Sequence, residues 1–335
     1  MAPGQRVALA LGSGGARGYA HIGVIAVLEE RGYDIVSVAG SSMGALVGGL
    51  HAAGTLGPYT EWARTVTHRD VLRLMDLSIK GPGAIRGDKI LARVSELLGT
   101  ALIENLAIPF TAVATDLLAR REVWFQQGRM DAAIRASIAL PGFFTPVMIG
   151  GRLLADGGMM NPVPVAALTG AHADLTVAVS LGGERTRSPG HEYGALRPAE
   201  ELLGRVRRTV GQVRELELPR FQAGHRVPGH GAPPVVMPPI EPVDLVPPFP
   251  PGLRTVDVMN LSLEAMQSVL TRYRLSGYPP DVLVTVPSDA CRTMDFHLAA
   301  DMIQLGRELA IEALETLDVT ANHGSAHGPA SPAVG

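Results

Sequence analysis

The stretch Ile35-Val36-Ser37-Val38-Ala39-Gly40-Ser41-Ser42-Met43-Gly44-Ala45-Leu46-Val47-Gly48-Gly49-Leu50-His51-Ala52-Ala53 decides the fold. Its first five residues form a short apolar run that reads as a buried parallel strand. From Ala45 onward the residues are small and apolar, and read as a helix that lies close on a sheet. Between the two, Gly40-x-Ser42-x-Gly44 reads as a tight elbow. Its glycines remove Cβ atoms that would clash and leave the Ser42 hydroxyl at the tip. The helix N-terminus behind it favours negative charge developing beside the serine. A five-residue pattern recurs by chance in a Gly-rich chain, so its place between strand and helix is what gives it weight.

Working outward toward the N-terminus, Arg6-Val7-Ala8-Leu9-Ala10-Leu11 is a second continuous apolar run, hence a buried strand. The loop Gly12-Ser13-Gly14-Gly15-Ala16-Arg17-Gly18 follows, then a helix over residues 19–31 that stops at Gly32. Strand, helix, strand, helix at this spacing implies a parallel sheet covered on both faces. Toward the C-terminus, residues 55–105 read as mostly helical and carry no catalytic pattern. Phe110-Thr111-Ala112-Val113-Ala114-Thr115 is another strand, with Glu122-Val123-Trp124-Phe125 as its candidate partner. A short helix over residues 130–139 stops at Pro141-Gly142, and Arg152-Leu153-Leu154-Ala155 leads into Asp156-Gly157-Gly158. Residues 175–181 and 281–286 read as strands, and 256–275 and 298–317 as helices. The late strand and helix are expected to complete the first sheet.

Composition narrows the function classes. The 335 residues carry a formal net charge of -3, which gives no electrostatic footprint for nucleic acid. The single cysteine, Cys291, rules out an intramolecular disulfide framework and suits a reducing compartment, so a cytoplasmic location is expected and the thiol reads as inert. Hydrophobic residues make up 46% but aromatics only 4%, so the core is built from Ala, Val, Leu and Ile. Val7 to Leu11 is too short for the apolar region of a secretory signal, and no apolar run approaches the roughly 20 residues that span a bilayer. From Pro219 to Pro251, eleven of 33 residues are proline, which excludes a helix or an interior strand. That segment reads as an extended surface insertion, or as a flap that brings Val243, Leu245, Val246 and Phe249 to acyl chains or lipid.

Ester hydrolysis needs a nucleophile, a base and donors for a tetrahedral oxyanion. Ser42 is the candidate nucleophile. The glycine-rich turn after the first strand is the candidate donor, because in a parallel sheet it lies on the same rim as the elbow. A dinucleotide site is the rival reading of that turn. It fails on two counts: Gly12, Gly14 and Arg17 leave the third glycine of the fingerprint missing, and the second strand ends in Gly-Ser-Ser rather than in a ribose-binding acid. For the base, Asp156 stands out, flanked by glycines that let the backbone approach a partner, although the same pattern suits a plain turn aspartate. No histidine sits in a distinguished context. A carboxylate of ordinary pKa, about 3.9, is a poor match for a serine hydroxyl unless burial and oxyanion stabilisation share the task.

With these pieces in place, the chain resembles the patatin-like phospholipase family, and within it the bacterial branch related to the catalytic domain of neuropathy target esterase. The matching elements are Gly12 to Gly23, the elbow at Gly40 to Gly44, Arg135-Ala136-Ser137-Ile138-Ala139-Leu140-Pro141-Gly142-Phe143-Phe144-Thr145-Pro146, Asp156-Gly157-Gly158, and Met160-Asn161-Pro162-Val163-Pro164. Five such blocks in order are specific where each alone is common. The resemblance implies a three-layer α/β fold with a mostly parallel central sheet and helices on both faces. It also implies a Ser42–Asp156 dyad without catalytic histidine, oxyanion amides from Gly14, Gly15 and Ala16, and no cofactor or metal. Arg17 either meets a substrate head group or braces the loop, and Ser13 departs from the family's usual glycine.

The layout expected from all this is a catalytic core over residues 6–182, a helical and Pro-rich insertion over 183–279 with the flap at 219–251, a completing strand and helix over 280–318, and a disordered tail over 319–335. The expected activity is cofactor-independent hydrolysis of phospholipid or lysophospholipid esters through an acyl-serine. The alternatives are a thioesterase or small-ester esterase with the same dyad, and a silent lipid-binding regulator. The expected partner is a lipid substrate, with peripheral membrane contact and no nucleic acid.

Overall fold

The computed structural model of the chain describes residues 4–74, 83–85, 88–184 and 255–325. Strands β1 (Arg6–Leu11) and β2 (Asp34–Ser41) flank α1 (Ala20–Glu30), and α2 (Met43–Ala52) follows the elbow. Helices α3 (Leu56–Thr65), α4 (His68–Leu74) and α5 (Asp88–Leu98) bear out the helical reading of that stretch, with a short strand β3 (Gly83–Ile85) between the last two. Next come β4 (Phe110–Asp116), β5 (Arg121–Phe125), α6 (Met130–Ser137), β6 (Gly142–Phe144), β7 (Val147–Ile149), β8 (Arg152–Asp156) and β9 (Leu175–Gly183). The C-terminal part supplies α7 (Thr255–Gly277), β10 (Val282–Pro287) and α8 (Ala299–Ser325).

The main sheet has the order β10-β9-β1-β2-β4-β8-β7, with β5 also paired to β4. Its first five members run parallel, as the buried apolar runs predict. The far rim is different: β5 and β8 pair antiparallel with β4, and β7 antiparallel with β8. β3 and β6 form a separate parallel pair.

Strand alternation sorts β1 between two layers. Ala8 and Ala10 join Ala39 and Ala178 in a small-residue cluster covered by Val163, Val165, Leu168 and Leu275 of α7. The opposite face, with Leu11 of β1 and Val38 of β2, meets α2 at Gly48. Helix α8 packs along α1, and β10 and α8 complete the first sheet as the apolar runs suggest.

Two expected boundaries shift. Helix α7, grouped by sequence with the insertion, belongs to the compact unit formed by residues 1–185 and 254–335. The reason is its tertiary ties: Gln267 Nε2 donates to Gly158 O at 3.0 Å, and Arg274 pairs with Glu122 at 3.0 Å. Helix α8 continues to Ser325, into the stretch expected to be a tail, since nothing from residue 318 to 323 breaks a helix. The remaining tail residues and the Pro-rich segment 219–251 lie outside the described residues. Among the described residues no helix is long and apolar enough to cross a membrane.

Candidate active site

Ser42 sits between the last residue of β2 and the first turn of α2 with φ 56° and ψ -121°. A non-glycine residue in that region carries strain of about 1–3 kcal/mol, held in place by its surroundings. Two contacts hold it. The Ser42 amide donates to Ser137 Oγ at 2.9 Å, and the preceding Ser41 hydroxyl donates to Asn161 O at 2.6 Å. Gly44 is required by packing, because a Cβ there would overlap the carbonyl of Leu11 in the adjacent strand.

Asp156 ends β8, and the register explains how it reaches the serine. Ser41 pairs with Val113 of β4 and Asp156 with Ala114, the next residue of the same strand. The Ser42 hydroxyl donates to Asp156 Oδ2. Oδ1 accepts from the Gly158 amide at 2.8 Å, the Asp156 amide donates to Ala139 O at 2.9 Å, and Thr115 Oγ1 donates to the Asp156 carbonyl at 2.8 Å. The carboxylate is fully buried. Burial pushes its pKa up from 3.8 to about 6, against the opposing pull of donors from Ser42, Gly158 and Ser13. Sequence assigns no role to several of the residues that bond here, Thr115 among them. Ser13, noted only as a departure from glycine, donates its hydroxyl toward the aspartate, and Ser137 lay inside a matched block without a role.

No histidine is among these partners. His21 is buried, its Nε2 pairs with Gly12 O at 2.8 Å, and burial drives its pKa down to about 4, so the ring is neutral near pH 7. The Cys291 thiol is buried as well, and burial lifts its pKa to about 12.

The glycine loop lies beside the serine, with Gly14, Gly15 and Ser42 lining one cleft. Among the hydrogen bonds of the described residues, none is donated by the amides of Gly14 or Gly15. Ala16 differs: its amide donates to Thr293 O at 2.9 Å, so it is already engaged and drops out of the expected oxyanion donors. Arg17 also departs from its head-group alternative. It is 4% exposed, with Nε on Gly14 O at 3.2 Å, Nη1 on Ser288 O and Nη2 on Glu264 at 2.8 Å. Its charge is met inside the fold, and it braces the loop.

Most of the remaining lining is apolar, with side chains such as Leu46, Trp62, Ile138, Leu140, Phe143 and Phe296, while Glu264, Gln267 and Thr293 add polar groups. Such a lining suits a hydrocarbon chain. Among the described residues no cluster of three or more His, Cys, Asp or Glu is placed to hold a metal ion.

Residues 9–169 match the family model described as patatin-like phospholipase. A protein of Mycobacterium bovis named as an uncharacterized NTE family protein is 46% identical over 349 residues, covering 96% of this chain and 94% of that protein. A Mycobacterium tuberculosis protein of the same description aligns equally well. The mouse patatin-like phospholipase domain-containing protein 6 is 32% identical over 189 residues, which is 54% of this chain and 14% of that protein. The chain belongs to the NTE family of patatin-like phospholipase proteins.

Proposed function

We propose that the protein is a serine acyl hydrolase of phospholipids or lysophospholipids that works through a Ser42–Asp156 dyad. The family implies lipid ester hydrolysis in general. The observation that carries the finer reading is the bond from the Ser42 hydroxyl to the buried Asp156 carboxylate, in a mostly apolar cleft that Gly14 and Gly15 also line.

The steps follow from these groups. Ser42 Oγ attacks the acyl carbonyl carbon while its proton passes to Asp156 Oδ2. A pKa of about 6 makes the carboxylate a better base than an exposed aspartate, and it remains mostly ionised at pH 7. The carbonyl oxygen becomes an oxyanion facing the amides of Gly14 and Gly15, where one such donor is worth about a hundred- to a thousand-fold in turnover. The ester C–O bond breaks, and the departing alcohol takes the proton from Asp156. The acyl-Ser42 intermediate is then hydrolysed by a water that Asp156 deprotonates, releasing the fatty acid and restoring the serine.

Turnover of purified protein against phospholipids, lysophospholipids, acylglycerols and acyl thioesters tests this reading. Hydrolysis of the glycerolipids is expected. Turnover restricted to thioesters or short soluble esters would replace the substrate class, and binding without any turnover would replace the enzyme by a lipid-binding regulator.

A further inference from the structure

Helix α7 has two faces of opposite character. Leu263, Glu264 and Gln267 line the cleft, and Glu264 holds Arg17 and thereby the glycine loop. The other side carries Val258, Met259, Leu261, Met266, Val269 and Tyr273, which are 44% to 79% exposed. Large apolar side chains this exposed are few among the described residues, and most of them sit on this one helix. Val258, Met266, Val269 and Tyr273, with Ser262, follow the three- and four-residue spacing that aligns side chains along one helix face. From Val258 to Tyr273 the stripe runs about 22 Å.

We propose that this outer face of α7 is the surface by which the protein docks on an anionic lipid bilayer, so that the helix walling the acyl cleft lies in the interface that supplies its substrate. The proposal rests on the lipid-hydrolase reading of the same cleft. Charge favours this occupant: Arg272 is exposed beside Tyr273, while Glu264 is turned inward and paired with Arg17. Tyr273 adds an aromatic body with a polar tip, the kind of side chain that settles at the boundary of lipid and water. A second copy of the chain fits less well. A stable protein interface engages roughly 20–30 residues a side, far more than one helix stripe, whereas an interfacial helix needs only its apolar face.

The test is co-sedimentation of the full chain with phosphatidylcholine vesicles containing about a fifth phosphatidylglycerol, comparing wild type with the double variant Met266→Asp/Val269→Asp. Both positions are exposed and outside the cleft lining. Folding is checked by Tm, and catalysis by hydrolysis of a short soluble ester. Wild type is expected to sediment, the variant to lose about ten-fold or more in partition, and soluble-ester turnover to stay level. Equal sedimentation of the two proteins, or none by wild type, overturns the proposal. So does a concentration-dependent dimer that the double variant abolishes, which would assign the face to a second copy. Vesicle partition decides the docking surface by itself, while absence of turnover with every ester strikes only the hydrolase reading.

Discussion

The amide of Ser42 donates to the hydroxyl of Ser137 at 2.9 Å, and that hydroxyl donates onward to Val113 O at 2.6 Å. A helix-ending serine thus ties the strained elbow to the strand that also positions Asp156. Ser137→Ala removes the acceptor of the buried Ser42 amide and one donor to Val113 O, at a cost of about 1–3 kcal/mol in stability. Chemical denaturation is expected to show that loss. Steady-state kinetics are expected to show a lower kcat with KM nearly unchanged, because the change touches the elbow and not the acyl wall.

With Asp156 as the proposed base, the expected pH signature resembles that of a histidine. Asp156 has to be ionised to take the Ser42 proton, so kcat/KM is expected to rise with pH through about 6 and level off above it. His21, the buried histidine nearest the glycine loop, has its pKa lowered to about 4 and His51 is lowered too, both by burial. The limb near 6 is therefore expected to survive in His21→Gln and in His51→Gln. Its disappearance in either variant would move the base to that histidine.

Burying a carboxylate also works against the fold at neutral pH. The folded pKa of Asp156 lies above the ordinary value of 3.8, so its favourable contribution is complete below about 3.8 and is lost as pH rises through about 6. Asp156→Asn does not titrate. The variant is expected to match wild type in Tm near pH 4 and to exceed it near pH 8, by the equivalent of about 1–3 kcal/mol. Turnover in the same variant is expected to fall by about a thousand-fold or more. A variant that keeps its turnover would return attention to other bases.

Arg17 is held in three directions, by Gly14 O, Ser288 O and Glu264. A lysine supplies one point charge where the planar guanidinium supplies a fork, so Arg17→Lys loosens the loop that carries Gly14 and Gly15. The expected result is a kcat lower by about ten- to a hundred-fold with little change in KM. A change confined to KM would favour the head-group role instead.

How much of this is legible in sequence depends on the range of the interaction. The parallel half of the sheet is readable because β1, β2 and β9 are continuous apolar runs with helices or glycine turns between them. The elbow is readable because Gly40, Ser42 and Gly44 fall within five residues between an apolar run and a small-residue helix, although Gly44 itself is demanded by Leu11 of the neighbouring strand. The antiparallel pairing of β8 with β4 has no local mark, since Arg152-Leu153-Leu154-Ala155 carries no sign of its partner's direction. Arg17 finds Ser288 and Glu264 at separations of 271 and 247 positions, which no local pattern encodes. Ala16 is misjudged for the same reason, because its amide is engaged by Thr293 from the far end of the chain. Ser13 shows the reverse: a residue that breaks the expected glycine run turns out to hydrogen-bond the aspartate.

Active-site labelling measures most directly whether Asp156 makes Ser42 nucleophilic. Wild type, Ser42→Ala and Asp156→Asn are incubated with a fluorophosphonate probe, and the adduct is located by peptide mass spectrometry. One adduct on Ser42 is expected in wild type, none in Ser42→Ala, and much slower labelling in Asp156→Asn. An adduct on another residue, or equal labelling of all three proteins, would contradict the Ser42–Asp156 dyad.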